Sequence, residues 1–179
     1  GDKGAMDISA AAGHISLDFS GHALYGTNNL EDFALVLMTP LPEDDVFQAG
    51  DRMLCVFLNK PGGGLPHPGN YKLITPQEIG QPEKLTTPKL RKLTQKFTAM
   101  ALILEWKQKG KDPQSGWFLT NAPKGEITIE ETGKSLRGRL QISLAGWEIN
   151  SQKRNKQVRL EGAFKAIKGL TSIGKSKIA

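Results

Sequence analysis

Apolar and polar residues alternate with a period of two over several stretches of the chain. Ile15, Leu17 and Phe19 are separated by single polar residues within 14–20, which places three apolar side chains on one face of a strand. The C-terminal third is more regular. Ile127 and Ile129 alternate with Thr128 and Glu130, and Thr132-Gly133-Lys134 reads as a turn. Leu136, Gly138, Leu140, Ile142 and Leu144 then fall on every second position. After the polar stretch Asn150 to Gln157, the residues Val158, Leu160, Gly162, Phe164 and Ala166 do so again. The pattern predicts a three-strand antiparallel meander with one buried face, built on Leu140, Ile142, Leu144, Leu160 and Phe164. Gly138 and Gly162 lie on its apolar phase, where a missing side chain leaves room for a large neighbour such as Trp147 or Phe164, or marks a bulge.

Two shorter runs, Phe33 to Met38 and Met53 to Leu58, are apolar without interruption. Such runs predict strands covered on both faces, and Cys55 inside the second is expected to be buried and inert. Residues 88–110 carry two patterns at once. Leu90, Leu93, Phe97, Met100 and Leu104 follow three-four spacing, with Thr87 as a cap, Pro88 at the first turn and Gly110 as a stop. Against a helix, Lys89, Arg91, Lys92 and Lys96 would crowd its N-terminal end, where the dipole disfavours cations. Phe97 to Leu104 also suits a central strand. A short helical turn near 88–94 followed by a strand from about 96 to 107 fits both. Lys60 to Gly69, with its three consecutive glycines and its prolines, predicts a structural loop.

The fold class expected is all-β and mainly antiparallel, a β-sandwich or flattened barrel with at most one helix around 88–110. The 179 residues suit one domain that needs no disulfide or metal staple. Residues 14–167 form that domain. Residues 1–13 are expected to be a flexible N-terminal segment or a cloning remnant, and 168–179 a basic tail. No stretch approaches a membrane span. The single cysteine rules out an intramolecular disulfide and leaves the compartment open.

Charge adds a second feature. The formal total is +6, yet residues 1–83 hold 4 Lys/Arg and 11 Asp/Glu while residues 84–179 hold 20 and 7. Such a division means either a basic face for an anionic partner or two halves that interleave in space and neutralise one another. Arg137 and Arg139 share the polar face of one predicted strand. Arg159, with Glu161 and Lys165, lies on the polar face of the next. Lys153, Arg154 and Lys156 are placed in the connecting loop. These six cations are the candidate anion-binding residues, and pairing with Glu126, Glu130 or Glu161 is the competing use. Trp106, Trp117 and Trp147 are candidates for stacking on sugars or bases, with burial in the core as the alternative.

Catalytic patterns are scarce. His14, His22 and His67 show no helical metal-ligand spacing and none lies near Cys55, so no metal site and no cofactor are expected. There is no Gly-x-Ser-x-Gly elbow. Glu130 and Glu131 are neighbours in a strand, a solvated pair near a turn rather than an acid–base couple.

Three segments carry a resemblance. Gly69-Asn-Tyr-Lys-Leu73 is similar to the glycine-x-tyrosine-x-leucine that opens a strand in uncharacterised β-sandwich domains of bacterial envelope proteins and lipoproteins. Gly125-Glu-Ile-Thr-Ile-Glu130 with Leu136 to Leu144 resembles their central hairpin, and Leu160-Glu-Gly-Ala-Phe164 their closing strand. The resemblance covers about a third of the chain. It implies an all-β fold in the periplasm or cell envelope of a bacterium, and it supplies no catalytic residues. The expected function is non-catalytic binding or assembly, toward an anionic glycan, a lipid headgroup or an acidic protein. A nucleic-acid-binding β module is the second reading, disfavoured because aromatic and basic residues do not interleave in any compact motif. A hydrolase with residues gathered from distant loops is the third.

Overall fold

The computed structural model describes residues 4–12, 15–16, 19–27, 33–38, 44, 46–59, 65–73, 97–118, 124–147 and 154–169. Every regular element among them is a strand, in agreement with the all-β expectation. In chain order these are β1 (Ala5–Ala12), β2 (Ile15–Ser16), β3 (Phe19–Gly21), β4 (Ala23–Thr27), β5 (Phe33–Met38), β6 (Arg52–Asn59), β7 (Gly69–Leu73), β8 (Thr98–Glu105), β9 (Ser115–Phe118), β10 (Lys124–Glu131), β11 (Ser135–Trp147) and β12 (Arg154–Lys168).

They form one 12-stranded sheet, not two stacked ones. The sheet curls on itself, and β11 returns to pair with β12, so that the pairings β12-β4-β5-β6-β8-β7-β10-β11 come back to their start. Pairing is antiparallel except at two junctions, β12 with β4 and β7 with β8, where only Ile167↔Leu24, Lys168↔Tyr25, Lys72↔Thr98 and Leu73↔Ala99 are in register.

The expected meander is present as β10, β11 and β12. Leu136, Leu140, Ile142, Leu144, Val158, Leu160, Phe164 and Ala166 are buried on its concave side, where they join Ile8, Tyr25, Leu54, Val56, Leu58, Tyr71, Ile103 and Ile127 in the main core. Gly138 stands directly opposite Phe164. A β-carbon on Gly138 would come within 2.9 Å of that ring and would collide with the Thr128 carbonyl oxygen, so the expected room for an aromatic is realised. Gly162 answers a different need. The backbone of β1 passes over it, with the Asp7 carbonyl oxygen where a β-carbon would sit.

That passage corrects one expectation. Residues 5–12 are not a loose segment but β1, in register with β12 from Ala5↔Lys165 to Ala11↔Arg159. Met6 and Ile8 fill the core. Their alternation is diluted by alanines, which hid the strand in the sequence. Ile15 and Phe19 belong to separate short strands, β2 and β3, both pairing with β1. Leu17 lies outside the described residues, as does the expected turn at 88–94.

Within the rest of the ambiguous segment the period of two prevails. Ala99, Ala101 and Ile103 point into the main core, whereas Met100, Leu102 and Leu104 are half-buried on the other side. Both phases are apolar because β8 and its neighbour β6 are covered twice. Met53 and Cys55 of β6 pack with Phe47 and Trp106 in a second cluster, against which Leu24, Phe57, Leu102 and Leu104 lie. The expected burial of Cys55 holds. Phe47 and Trp106 stack with ring centroids 3.8 Å apart and planes inclined by 14°. Their loops are laced together. The Phe47 N–H donates to the Gly110 carbonyl over 2.8 Å, the Trp106 N–H to that of Asp51 over 3.0 Å, and the Trp106 indole N–H to that of Lys111 over 3.2 Å. Arg52 and Glu105, register partners on β6 and β8, close the corner with an ion pair of 2.8 Å.

Candidate functional site

The outer face of the meander holds most of the expected site. Strand alternation sends Arg137, Arg139 and Gln141 of β11 outward, with Arg159, Glu161 and Lys165 of β12 beside them, all exposed. The face continues onto β1 at one side and onto β10 and β7 at the other.

Register turns this face into rows that cross the strands. Glu131, Arg137, Lys165 and Ala5 form one row. The next is Asn70, Thr128, Arg139, Ala163 and Asp7, in which the Thr128 hydroxyl donates to the Asn70 side-chain oxygen over 2.9 Å. Lys72, Glu126, Gln141, Glu161 and Ser9 follow. Last come Lys124, Ser143, Arg159 and Ala11. Neighbouring rows are about 7 Å apart along a strand, and neighbouring members of a row about 5 Å apart.

The six expected residues are therefore divided. Arg137 and Arg139 sit on one side of the Glu126–Glu161 row, and each has a carboxylate partner. Arg137 meets Glu131 at 3.3 Å and Arg139 meets Glu130 at 3.5 Å. The two carboxylates come from the end of β10, where a register shift between Ile129 and Glu131 lets adjacent glutamates serve adjacent arginines. Arg159 lies on the other side of that row and makes no ion pair among the described residues. Arg154 and Lys156 were expected in a loop. Both belong to β12, because the long hairpin partner β11 extends the ladder to Trp147↔Arg154 across a register shift. Lys153 lies outside the described residues.

The tryptophans separate as well. Trp106 is 1% exposed, with one ring face on Phe47 and its N–H used within its own loop, so it presents nothing to a ligand. Trp117 is on β9, opposite Ile103 and Gly146. Trp147 is at the end of β11, between Gly116 and Arg154 in the ladder, and shares the alternation of Ser143 and Ala145. Sequence reading missed Lys124, because Pro123 and Gly125 flank it. Its signal is a spacing of two from Glu126 and Thr128, which makes it the first member of β10.

Charge separates the two sides of the molecule. On β1, β7 and β10 to β12, with the turn between β10 and β11, the cations are Lys72, Lys124, Lys134, Arg137, Arg139, Arg154, Lys156, Arg159, Lys165 and Lys168. The acids there are Asp7, Glu126, Glu130, Glu131 and Glu161. At the Phe47–Trp106 corner, Arg52, Lys107, Lys109 and Lys111 face an equal number of acids, Asp44, Asp51, Glu105 and Asp112. Acidic and basic halves thus interleave at the corner, while the meander side keeps a positive excess.

Both tyrosines are tied into the structure by their hydroxyls. The Tyr71 hydroxyl donates to the His67 carbonyl over 2.7 Å, and burial pushes its pKa up to about 12. The Tyr25 hydroxyl donates to the Gly133 carbonyl over 3.1 Å, tying β4 to the β10–β11 turn. Among the described residues no group of three or more His, Cys, Asp or Glu is gathered as a metal ion would require, and no helix is long and apolar enough to cross a membrane. No protein-family model matches the chain, and no similar curated protein or solved structure was found. The likeness to envelope β domains therefore rests on the three sequence segments alone.

Proposed function

We infer that this protein is a non-catalytic β domain of the bacterial cell envelope that binds an anionic partner or takes part in assembly with one. The observation that carries the reading is the one-sided charge. On β1, β7 and β10 to β12 with the intervening turn, the seven cations Lys72, Lys134, Arg137, Arg139, Arg159, Lys165 and Lys168 are exposed beside five exposed acids, and the strands carry Lys124, Arg154 and Lys156 besides, while the Phe47–Trp106 corner balances four against four. The strands fix the backbone spacing of these residues, and the potentials of charges within a Debye length of about 8 Å at physiological salt add. The envelope setting rests on the Gly69–Leu73, Gly125–Leu144 and Leu160–Phe164 segments.

Retention on heparin tests the binding. The domain is expected to elute well after a neutral protein of similar size, with retention that falls as salt rises. Elution at the void at low salt would remove the anionic-partner reading. Fractionation of cells producing the natural full-length protein tests the setting, and recovery solely with the cytoplasm would contradict it.

A further inference from the structure

One end of the curled sheet brings apolar and basic side chains together. Register defines that end: β1, β7, β8 and β11 start there, and β10 and β12 finish there. Among the described residues the exposed large hydrophobic side chains are Leu65 and Phe97, 38% and 47% exposed, and both belong to it. Phe97 precedes β8 on the alternation of Ala99, Ala101 and Ile103, which are buried. Its carbonyl accepts the Lys72 N–H over 2.9 Å. Its ring lies over Gly69 and edge-on to Tyr71, with centroids 5.1 Å apart. It keeps the inward phase yet stays half exposed, because it stands at the rim. Leu65 is four residues before Gly69, in the stretch that the Tyr71 hydroxyl holds through the His67 carbonyl.

The cations follow from the same register. Gly69 shares a row with Ile129, Gly138 and Phe164, and the row of Arg137 and Lys165 is one residue nearer the rim. Lys134, in the β10–β11 turn, and Lys168, at the end of β12, are exposed beside it. Glu131 and Glu130 engage Arg137 and Arg139, whereas Lys134, Lys165 and Lys168 make no ion pair among the described residues. Tyr25 fixes this part of the rim. Its hydroxyl donates to the Gly133 carbonyl, and its own carbonyl accepts the Gly169 N–H over 3.1 Å.

We propose that this end docks on an anionic lipid bilayer, with Leu65 and Phe97 entering the boundary between headgroups and acyl chains and Lys134, Lys165 and Lys168 against the lipid phosphates. This rests on the anionic-partner reading above and narrows it to a place and a surface. β7, which carries Gly69 under the Phe97 ring, is three strand spacings from β12, about 14 Å, so the apolar and basic groups share one footprint. A bilayer offers both an anionic layer and an apolar one to such a pair, whereas an extended polyanion leaves Leu65 and Phe97 in water. Two separate apolar side chains are also too few for the packed patch of about 800 Å² that a specific protein partner covers. The Glu126–Glu161 row is about 13 Å back along β11 from Arg137. That exceeds a Debye length, so its carboxylates do not oppose an end-on contact.

Co-sedimentation of the full chain with phosphatidylcholine vesicles, with and without phosphatidylglycerol, tests the site. Wild type is expected on the anionic vesicles only, and less of it as salt rises. A cation near the surface strengthens such binding by about fivefold, so K134Q/K165Q/K168Q is expected to bind at least about tenfold more weakly. K107Q/K109Q/K111Q removes the same charge beyond the far end of β8 and is expected to stay within about twofold of wild type. Leu65→Ser should weaken vesicle binding without moving retention on heparin. Phe97→Trp keeps an aromatic ring over Gly69, and its added fluorescence is expected to shift to the blue on anionic vesicles. Equal weakening of the two triple variants, or vesicle binding without that blue shift, would overturn the docking end. Heparin retention without vesicle binding, or tighter binding to polyglutamate than to vesicles, would overturn the bilayer and leave the anionic-partner reading in place. Absence of binding to heparin, vesicles and polyglutamate would end both.

Discussion

Two walls of the same sheet are built by different rules. The β6–β8 wall is apolar on both sides. Leu54, Val56, Leu58 and Ile103 face the main core, while Met53, Cys55, Leu102 and Leu104 face the Phe47–Trp106 cluster. The β10–β12 wall is apolar on one side only and leaves a charged outer face. In the first wall the outward positions serve stability. In the second they are mostly polar or charged and exposed or half-buried, and nearly all the candidate site falls there.

The contrast is testable through packing first. Trp106→Ala and Phe164→Ala remove an aromatic from the outer cluster and from the main core respectively. Each is expected to lower unfolding free energy by about 3–5 kcal/mol in denaturant melts. A loss under about 1 kcal/mol for Trp106→Ala would mean that the outer cluster does not stabilise β6 and β8. Gly138→Ala is expected to cost about 1–3 kcal/mol, because the new methyl meets the Thr128 carbonyl and the Phe164 ring. Ala145→Gly, elsewhere on β11, serves as a control for backbone flexibility.

A smaller effect is read from pH on β7, the strand that joins the two walls. Burial holds the Tyr71 phenol neutral up to about 12, while in the unfolded chain it ionises near 10. Its folded pKa is raised, so its contribution is fully present below about pH 10 and is lost as pH rises through about 12. Tyr71→Phe is expected to flatten the fall of stability between pH 10 and 12. An unchanged alkaline limb would show that Tyr71 is not buried in this way. Smallest of all is the outer ion-pair lattice. Arg139→Gln should change stability by under about 1 kcal/mol, since the pair with Glu130 is exposed and screened. A larger loss would mean that the outer face of the meander is structural after all.

The same contrast explains what could be read in the sequence. One-sided strands announce themselves, so the meander, its buried residues and the Gly138–Phe164 fit were legible from alternation alone. Two-sided strands do not. In β8 both phases are apolar, and the three-four spacing of Met100 and Leu104 mimics a helix. β1 was missed because Ala10 to Ala12 carry almost no amphipathic signal, although Met6 and Ile8 do. For the site, strand phase placed Arg137, Arg139 and Arg159 correctly on one face. Their division by Glu126 and Glu161 depends on register between strands distant in sequence, and so does the position of Lys124 beside Ser143. The fate of Trp106 depends on Phe47, nearly sixty residues earlier, which no local pattern connects to it.

The claim that the one-sided wall is the recognition surface is tested most directly by nuclear magnetic resonance. Backbone amide shifts are followed while heparin is titrated into the ¹⁵N-labelled domain at low salt. The account expects the largest changes along β10 to β12, around Arg137, Arg139, Arg159 and Lys165, with little change along Met53 to Leu58 or Met100 to Trp106. Changes centred on Phe47, Lys107 to Lys111 and β6 would contradict it, as would a spectrum that does not move at all.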